Sequence, residues 1–348
     1  MKIRHIAPIN FNIPNGRSGP AILFYDLNEA LFKKGVDIYP FVTKNSEVSG
    51  TKGYLYNVEL NNYEPFNSIN RMMRGRFIYS HVAKSLDGYE NYDIIHSHLF
   101  DWTIQMSKLI KDKPLVITLH NYPNKELIQQ FDNPNIHFVA VSDVQANQLS
   151  DSIMNLHTIH NGIDLERIPF SSKKKDFYLF VGRLVENKGV DVALKACIEK
   201  GKKIVVVGKP VETNEESKKY FLEKVEPLLK NELVTHIAEM NHGELLSYYK
   251  DAKALIFPLK DPTAESFGLV TVEALAAGTP VLAFDNELMR ELLDEKCSIL
   301  VKDYAEMCDK LDAVTELDPN YCRSVASSKY SREVMAENYI ELYKKLVN

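Results

Sequence analysis

Short apolar runs alternate along this chain with longer stretches in which apolar residues recur every three or four positions. Residues 3–9 form such a run, followed by a glycine-bearing loop, a helical pattern over 21–34 that stops at Gly35, and a second run over 36–42. The spacing predicts a strand, loop, helix, strand unit. The same rhythm returns with strand-like runs at 92–95, 115–119, 137–141 and 156–159, and helical patterns near 101–110 and 124–130. Strands that are continuously apolar and separated by helices belong to parallel sheets covered on both faces.

Residues 164–176 break the rhythm with Pro169, two serines and Lys173-Lys174-Lys175. Such a segment predicts an interdomain linker. A second series then starts, with runs at 178–181, 203–207, 233–237, 254–257, 281–283 and 299–301 and helical patterns at 190–198, 245–249 and 269–277. The expected architecture is α/β, two tandem doubly wound Rossmann-like domains of residues 1–165 and 166–348. The last helical pattern, 331–346, is left free to join either domain. In doubly wound sheets ligands bind beyond the carboxyl ends of the strands, so function is sought in the loops that follow them.

The chain has 348 residues, 26% charged and 45% hydrophobic, with a net charge of −5. These proportions suit two ordinary globular cores. Residues 1–165 hold 15 Lys and Arg against 16 Asp and Glu. No basic half exists to bind nucleic acid. No apolar stretch is long enough to span a membrane and the first residues lack a signal-peptide core, so a cytoplasmic protein is expected. The four cysteines, Cys197, Cys297, Cys308 and Cys322, lack metal-ligand spacing and are expected to be reduced structural thiols.

The chemistry concentrates in the second half. Pro262-Thr263-Ala264-Glu265-Ser266-Phe267-Gly268-Leu269 follows a strand and opens the helix that contains Glu273. Free backbone N–H groups around Phe267, Gly268 and Leu269 suit a phosphate or a polyhydroxyl ligand. Glu265 before the helix and Glu273 within it can present carboxylates to two ends of an extended ligand, and carboxylates accept hydrogen bonds from sugar hydroxyls. The bland alternative makes Glu265 a dipole cap and Glu273 a solvated side chain. Upstream, Gly182-Arg183-Leu184-Val185-Glu186-Asn187-Lys188-Gly189 places two cations after the first strand of the second domain, where they could clamp a diphosphate.

These elements together resemble retaining glycosyltransferase family 4, of the GT-B fold. The resemblance rests on G-R-x-x-x-x-K-G, on Phe257-Pro258 ahead of E-S-F-G-L-V-x-V-E-A-L-A-x-G-T-P-V, and on the ending Tyr330-Ser331…Met335-Ala336…Tyr339. It is strongest over 178–348. It implies a nucleoside-diphosphate-sugar donor, UDP-linked, with Arg183 and Lys188 on the diphosphate, Glu273 on the ribose and Glu265 on the transferred hexose. Main-chain groups of Phe267, Gly268 and Leu269 would line the phosphate and sugar. In the first domain Gly19 would lie in the family's glycine-rich loop, His120 would contact the donor sugar, and His96 with His98 would match an H-x-H element. For His96 and His98 hydrogen-bonded packing at strand ends is an equal alternative. His160-Asn161-Gly162-Ile163-Asp164 resembles the family's turn between domains. Where the family often has a small or glycine pair, Glu287-Leu288 stands before Glu291, which alters the expected sugar-side pocket.

The implied reaction moves a hexose to a hydroxyl of a glycan, a lipid-linked glycan or a small molecule, with retention of configuration. No D-x-D occurs, so no metal site and no required cofactor are expected, with magnesium stimulation left open. A nucleotide-sugar epimerase of the same fold and a non-catalytic sugar-binding subunit are the alternatives. Residues 70–86, with Arg71, Arg74 and Lys84 beside Met73, Phe77 and Ile78, offer either a peripheral membrane contact or an ordinary packed helix weakened by Gly75.

Overall fold

A computed structural model describes residues 1–9, 12–14, 18–43, 46–50, 71–131, 133–211 and 213–347. The chain divides into two compact units, Met1–Ile163 with Arg332–Asn348, and Asp164–Ser331. The final helical segment, left open above, belongs to the first unit.

The first unit is built on a parallel sheet of β1 (Lys2–Ile6), β2 (Asp37–Phe41), β3 (Ile94–Ser97), β4 (Leu115–Leu119), β5 (Ile136–Ala140) and β6 (Leu156–Thr158). Its order is β2-β1-β3-β4-β5-β6. Central strands β3 and β4 are buried along their whole length, which accounts for their unbroken apolar runs. The helix Gly19–Lys33 carries Leu27, Ala30 and Leu31 into the core against Ile3 and Ile38. Gly35, at φ 77°, turns the chain from this helix into β2.

The helix Arg332–Val347 completes this unit. Met335, Ala336, Tyr339, Leu342 and Tyr343 join Leu27, Leu31, Val116 and Val139 in one cluster. Its entry is fixed by Arg332 N–H donating to Ile163 O at 2.9 Å. Beside it the Asn161-Gly162 turn packs inward, with Gly162 N–H 3.1 Å from Met335 Sδ. The buried hydroxyls of the two tyrosines find polar partners on the sheet: Tyr339 at Thr118 and Tyr343 at His96, each at 2.7 Å.

The second unit repeats the plan with β7 (Tyr178–Val181), β8 (Ile204–Val207), β9 (Val234–Ile237), β10 (Leu255–Phe257), β11 (Val281–Phe284) and β12 (Ser298–Val301), ordered β12-β11-β10-β7-β8-β9. Every paired strand in both sheets is parallel. Asn241, Asn286 and Asp303 cap the helices that follow, each accepting a hydrogen bond from the backbone N–H three residues on. The segment expected as a linker is tied to this unit. Arg323 donates to the carbonyls of Leu165, Ile168 and Ala276, while Lys174 Nζ donates to Thr279 Oγ1 at 2.8 Å. All four cysteines are buried. Burial pushes the Cys197 and Cys322 thiols up to about 12 and Cys297 to about 11, so these three are not nucleophiles near neutrality.

The expected helix in 70–86 forms as Arg71–Ser85. Phe77 and Ile78, offered above as apolar contacts, pack inward on Ile9, Leu99 and Trp102. Gly75 has a steric reason to be there, because a Cβ at this position would stand 3.1 Å from the Trp102 ring. The side chains of Arg71, Met73 and Arg74 lie outside the described residues.

Candidate functional site

The second sheet reverses its winding between β7 and β10, since β8 and β9 lie to one side and β11 and β12 to the other. At such a switch point the loops after the two strands diverge and leave a crevice. The loop after β7 carries Arg183 and Lys188, and the loop after β10 carries Glu265 to Gly268. Two glycines let the loops approach. Gly208 brings the loop after β8 so near that a Cβ would lie 1.8 Å from Gly182 O, and a Cβ on Gly189 would lie 2.1 Å from Pro258 O. Gly189 also takes φ 68°, so both sterics and conformation require glycine after Lys188.

This close crossing sets Lys188. Its side chain is only 7% exposed, its Nζ lies 2.6 Å from Glu265 Oε2 and 5.7 Å above the Phe257 ring, and it reaches Ala264 O at 3.5 Å. Two residues 77 positions apart, singled out for different ends of a ligand, thus form one ion pair. A buried ammonium held by a single carboxylate retains donors for a further anion. Arg183, in contrast, is exposed, and among the described residues its side chain makes no ion pair.

The helix Leu269–Ala276 starts from Gly268, whose φ of 89° is open to glycine. A Cβ there would stand 3.3 Å from Leu292, so this glycine serves packing as well as access. Phe267 is buried edge-on to Tyr330, with ring centroids 5.8 Å apart. Gly268 O accepts from both Thr271 Oγ1 at 2.7 Å and Thr271 N–H at 3.0 Å, so any open donors of the first turn precede Thr271. Glu273 is not solvated, as the bland alternative had it. It is buried, and its Oε1 accepts a 2.7 Å hydrogen bond from Nε2 of His242. The hydroxyl of Tyr249 is nearby, its pKa raised well above the usual phenol value by burial and, second, by the Glu273 charge. His242 escaped notice in the sequence because it opens the helix His242–Asp251, 31 residues from its partner. Glu287 is exposed and Leu288 buried in the helix Glu287–Leu292, so the leucine of that departure fills the core.

The first sheet reverses between β1 and β3. Here the structure holds a cavity of about 240 Å³ lined by residues following β1, β3 and β4, including Ser18, Pro20, His98, Asp101, Trp102 and His120. Gly19 lies beside it as the first residue of the helix Gly19–Lys33. The loop with His120 is pinned by Gln145, whose amide donates to Leu119 O at 3.0 Å and to Asn121 O at 3.1 Å. Gln145 is fully buried and gave no signal in the sequence beyond polarity.

His120 heads a chain of imidazoles. Its Nε2 is 2.8 Å from His98 Nδ1, His98 Nε2 is 2.9 Å from His5 Nε2, and His5 Nδ1 is 3.2 Å from Asn28 Oδ1. His96 stands apart from that chain, between Thr118 Oγ1 at 2.8 Å and the Tyr343 hydroxyl. Burial pushes His5 down to about 3 and His120 to about 4, and it holds His96 and His98 well below the usual imidazole range. All four rings are therefore neutral near pH 7. The hydrogen-bonded packing offered above as an alternative is present at His98, which also lines the cavity. His5 was hidden inside the apolar run of β1. One ring nitrogen each of His5, His96 and His98 lies within 4.8 Å of the others, a spacing that a metal ion could also use.

Among the described residues no helix is long and apolar enough to cross a membrane. Two family sequence models match in tandem: Glycosyltransferase Family 4 over residues 17–167 and Glycosyl transferases group 1 over 164–332. A phosphatidyl-myo-inositol mannosyltransferase of Mycobacterium leprae is 26% identical, covering 99% of this chain and 96% of its own. Sucrose-phosphate synthase of Thermosynechococcus elongatus shares the fold with a TM-score of 0.78 at 17% identity, over 99% of each chain. Anabaena HepE, solved in complex with UDP-glucose, aligns with a TM-score of 0.70 at 14% identity, over 99% of this chain and 100% of its own. Two family models laid end to end across two doubly wound sheets, each with polar side chains gathered at its switch point, place the chain among the GT4-like glycosyltransferases of the GT-B fold.

Proposed function

We propose that this glycosyltransferase moves a hexose from a UDP-sugar to an acceptor hydroxyl with retention of anomeric configuration. The observation that carries the reading is the ion pair of buried Lys188 with half-buried Glu265, beside the N-terminus of the helix Leu269–Ala276. In the transfer the bond from the anomeric carbon to the phosphate oxygen breaks and a bond to the acceptor oxygen forms. Negative charge then grows on the leaving diphosphate. Fixed positive groups there lower the barrier because they need no reorganisation as the charge appears. Lys188 and the helix N–H groups supply them, with Arg183 free to close on the diphosphate. Glu265 orients Lys188 and offers its remaining oxygen valence to hydroxyls of the hexose, while Glu273, braced by His242, receives the ribose.

Retention needs no protein nucleophile if the leaving phosphate takes the acceptor proton. The two carboxylates are accordingly assigned to binding rather than to glycosidase chemistry. The choice of uridine follows the neighbour solved with UDP-glucose. The first-unit cavity, with His98, His120 and aromatic walls, is assigned to sugar hydroxyls. A panel of UDP-, GDP- and ADP-linked sugars, scored by release of nucleoside diphosphate and by the anomeric proton coupling of the product, tests the reading. UDP release with a retained anomer supports it. An inverted product, or turnover restricted to another nucleotide, overturns it. Sedimentation with anionic liposomes at low and moderate salt tests the lipid-linked class of acceptor separately.

A further inference from the structure

The helix Phe100–Met106 follows β3 and carries Asp101 between two anchored aromatic rings. On one side Phe100 packs on Phe138, with ring centroids 6.1 Å apart. On the other, Trp102 packs on Ile9 and Ile78 beside Gly75. The chain around them is tied down as well. Leu99 N–H donates to Ser97 Oγ at 3.1 Å, Ser97 Oγ lies 2.7 Å from Thr103 Oγ1, and Gln105 Nε2 donates to Asp101 O at 2.6 Å. With both neighbours and its own carbonyl fixed, Asp101 keeps little freedom beyond its side-chain torsions, and it stands on the lining of the first-unit cavity.

The buried wall of that cavity is neutral, because burial keeps His98 and His120 uncharged near pH 7. Its exposed rim carries Asp101, the one charged side chain among the described residues of the lining. Partial burial raises the Asp101 carboxyl above its usual range, and no cation or hydrogen-bond donor offsets the effect. An ionised carboxylate has only lone pairs to offer, so it complements O–H groups and repels anions. The volume of about 240 Å³ falls below the ~300–1,000 Å³ of pockets for drug-sized ligands and suits a single sugar ring. We propose that Asp101 is a specificity-determining residue whose carboxylate receives hydroxyls of the acceptor sugar and turns away acceptors that carry an anionic group on the bound ring. This rests on the assignment of the cavity to sugar hydroxyls and gives the acceptor its chemical class, an uncharged sugar.

Trp102 is the one tryptophan of the chain, so its fluorescence reports on this cavity without a donor and without turnover. Methyl hexosides, hexose monophosphates and inorganic phosphate are titrated into the full chain at moderate salt. The wild-type protein is expected to bind a neutral hexoside at least about tenfold more tightly than the matching phosphate. Asp101→Asn keeps the size of the side chain and removes its charge. It should weaken the neutral hexoside by about tenfold, the worth of a charge-assisted hydrogen bond, and leave the phosphate no weaker. Asp101→Lys should reverse the preference. Equal affinity for the two classes in the wild-type protein, or tighter binding of the phosphate, overturns the proposal. So does an unchanged preference in folded Asp101→Asn, and so does a Trp102 signal that responds to neither class up to the solubility of the sugar. Turnover of a UDP-sugar that prefers phosphorylated acceptors overturns the proposal and leaves the donor reading standing, whereas the expected binding order beside absence of turnover with every nucleotide sugar supports the proposal and fails the donor reading alone.

Discussion

Both six-stranded parallel sheets place their functional loops at the point where their winding reverses, yet the polar groups gathered there differ in kind. Beyond β7 and β10 the groups are carboxylates with fixed partners: Glu265 in an ion pair with Lys188, and Glu273 accepting a hydrogen bond from His242. Beyond β1 and β3 they are neutral imidazoles in a chain, with no ion pair among Asn28, His5, His98 and His120. One fold has thus been given two electrostatic interiors. A charged crevice suits a ligand part that gains charge during reaction, and a neutral hydrogen-bonding wall suits hydroxyls that do not.

Removing the cation of the charged crevice should produce the largest effect. Lys188→Ala is expected to lower kcat by about 10²–10³ because it withdraws a preorganised charge from the leaving group. Steady-state kinetics on folded protein checks this, and near-wild-type turnover would break the contrast between the two crevices. Gly189→Ala comes next. The new Cβ meets Pro258 O and the φ of 68° is strained for alanine, so the second unit should lose about 1–3 kcal/mol while turnover falls through displacement of Lys188. Denaturant unfolding followed by a probe in each unit would show whether the loss stays in the second.

The two glutamates sharpen the comparison further. Glu273→Ala should weaken UDP and UDP-sugar alike, by about tenfold or more, since its carboxylate is assigned to the ribose. Glu265→Ala should weaken the sugar nucleotide more than UDP. Calorimetric titration of both ligands into both variants decides, and equal losses throughout would remove the division of labour.

The comparison can also be tested through pH. His5, His81 and His120 titrate at about 3, 3 and 4 when folded, against 6.5 for an ordinary histidine. Below pH 6.5 the unfolded chain binds protons that the folded one refuses, so stability falls as pH drops from 6.5 toward those values. Each such group removes up to about 1.4 kcal/mol per pH unit in that window. Hydrogen exchange at pH 7 and pH 5 should show β1, β3 and β4 losing protection before β7 and β10. Equal loss in both sheets would mean that the neutral chain has no special acid sensitivity.

Much of this was legible in the sequence because it is local. Runs such as Leu115–Leu119 and Tyr178–Val181 must be buried on both faces to make sense, and they are. Lys188, Glu265 and Glu273 stood out because their loops follow strands and precede helices. Their partners were not legible. Nothing near Glu273 in sequence points to His242, and nothing in Lys2–Ile6 distinguishes His5 from a polar residue facing solvent. Pairing across 77 or 93 residues depends on strand order, which hydrophobic periodicity does not encode. The ownership of the last helix was open for the same reason, since an amphipathic pattern shows that a face is covered without showing by what.

That helix has a consequence for biosynthesis. The first unit needs Met335, Tyr339 and Tyr343 to close its core, but the ribosome makes all of Asp164–Ser331 before reaching them. At about 5–20 residues per second the interval is on the order of ten to thirty seconds. During it the second unit has every strand of its sheet, while Ile3, Leu31 and Val116 wait uncovered on the nascent chain. The later unit to be synthesised is therefore the earlier one able to finish folding, and a chaperone that protects this protein would have its work at the N-terminal sheet.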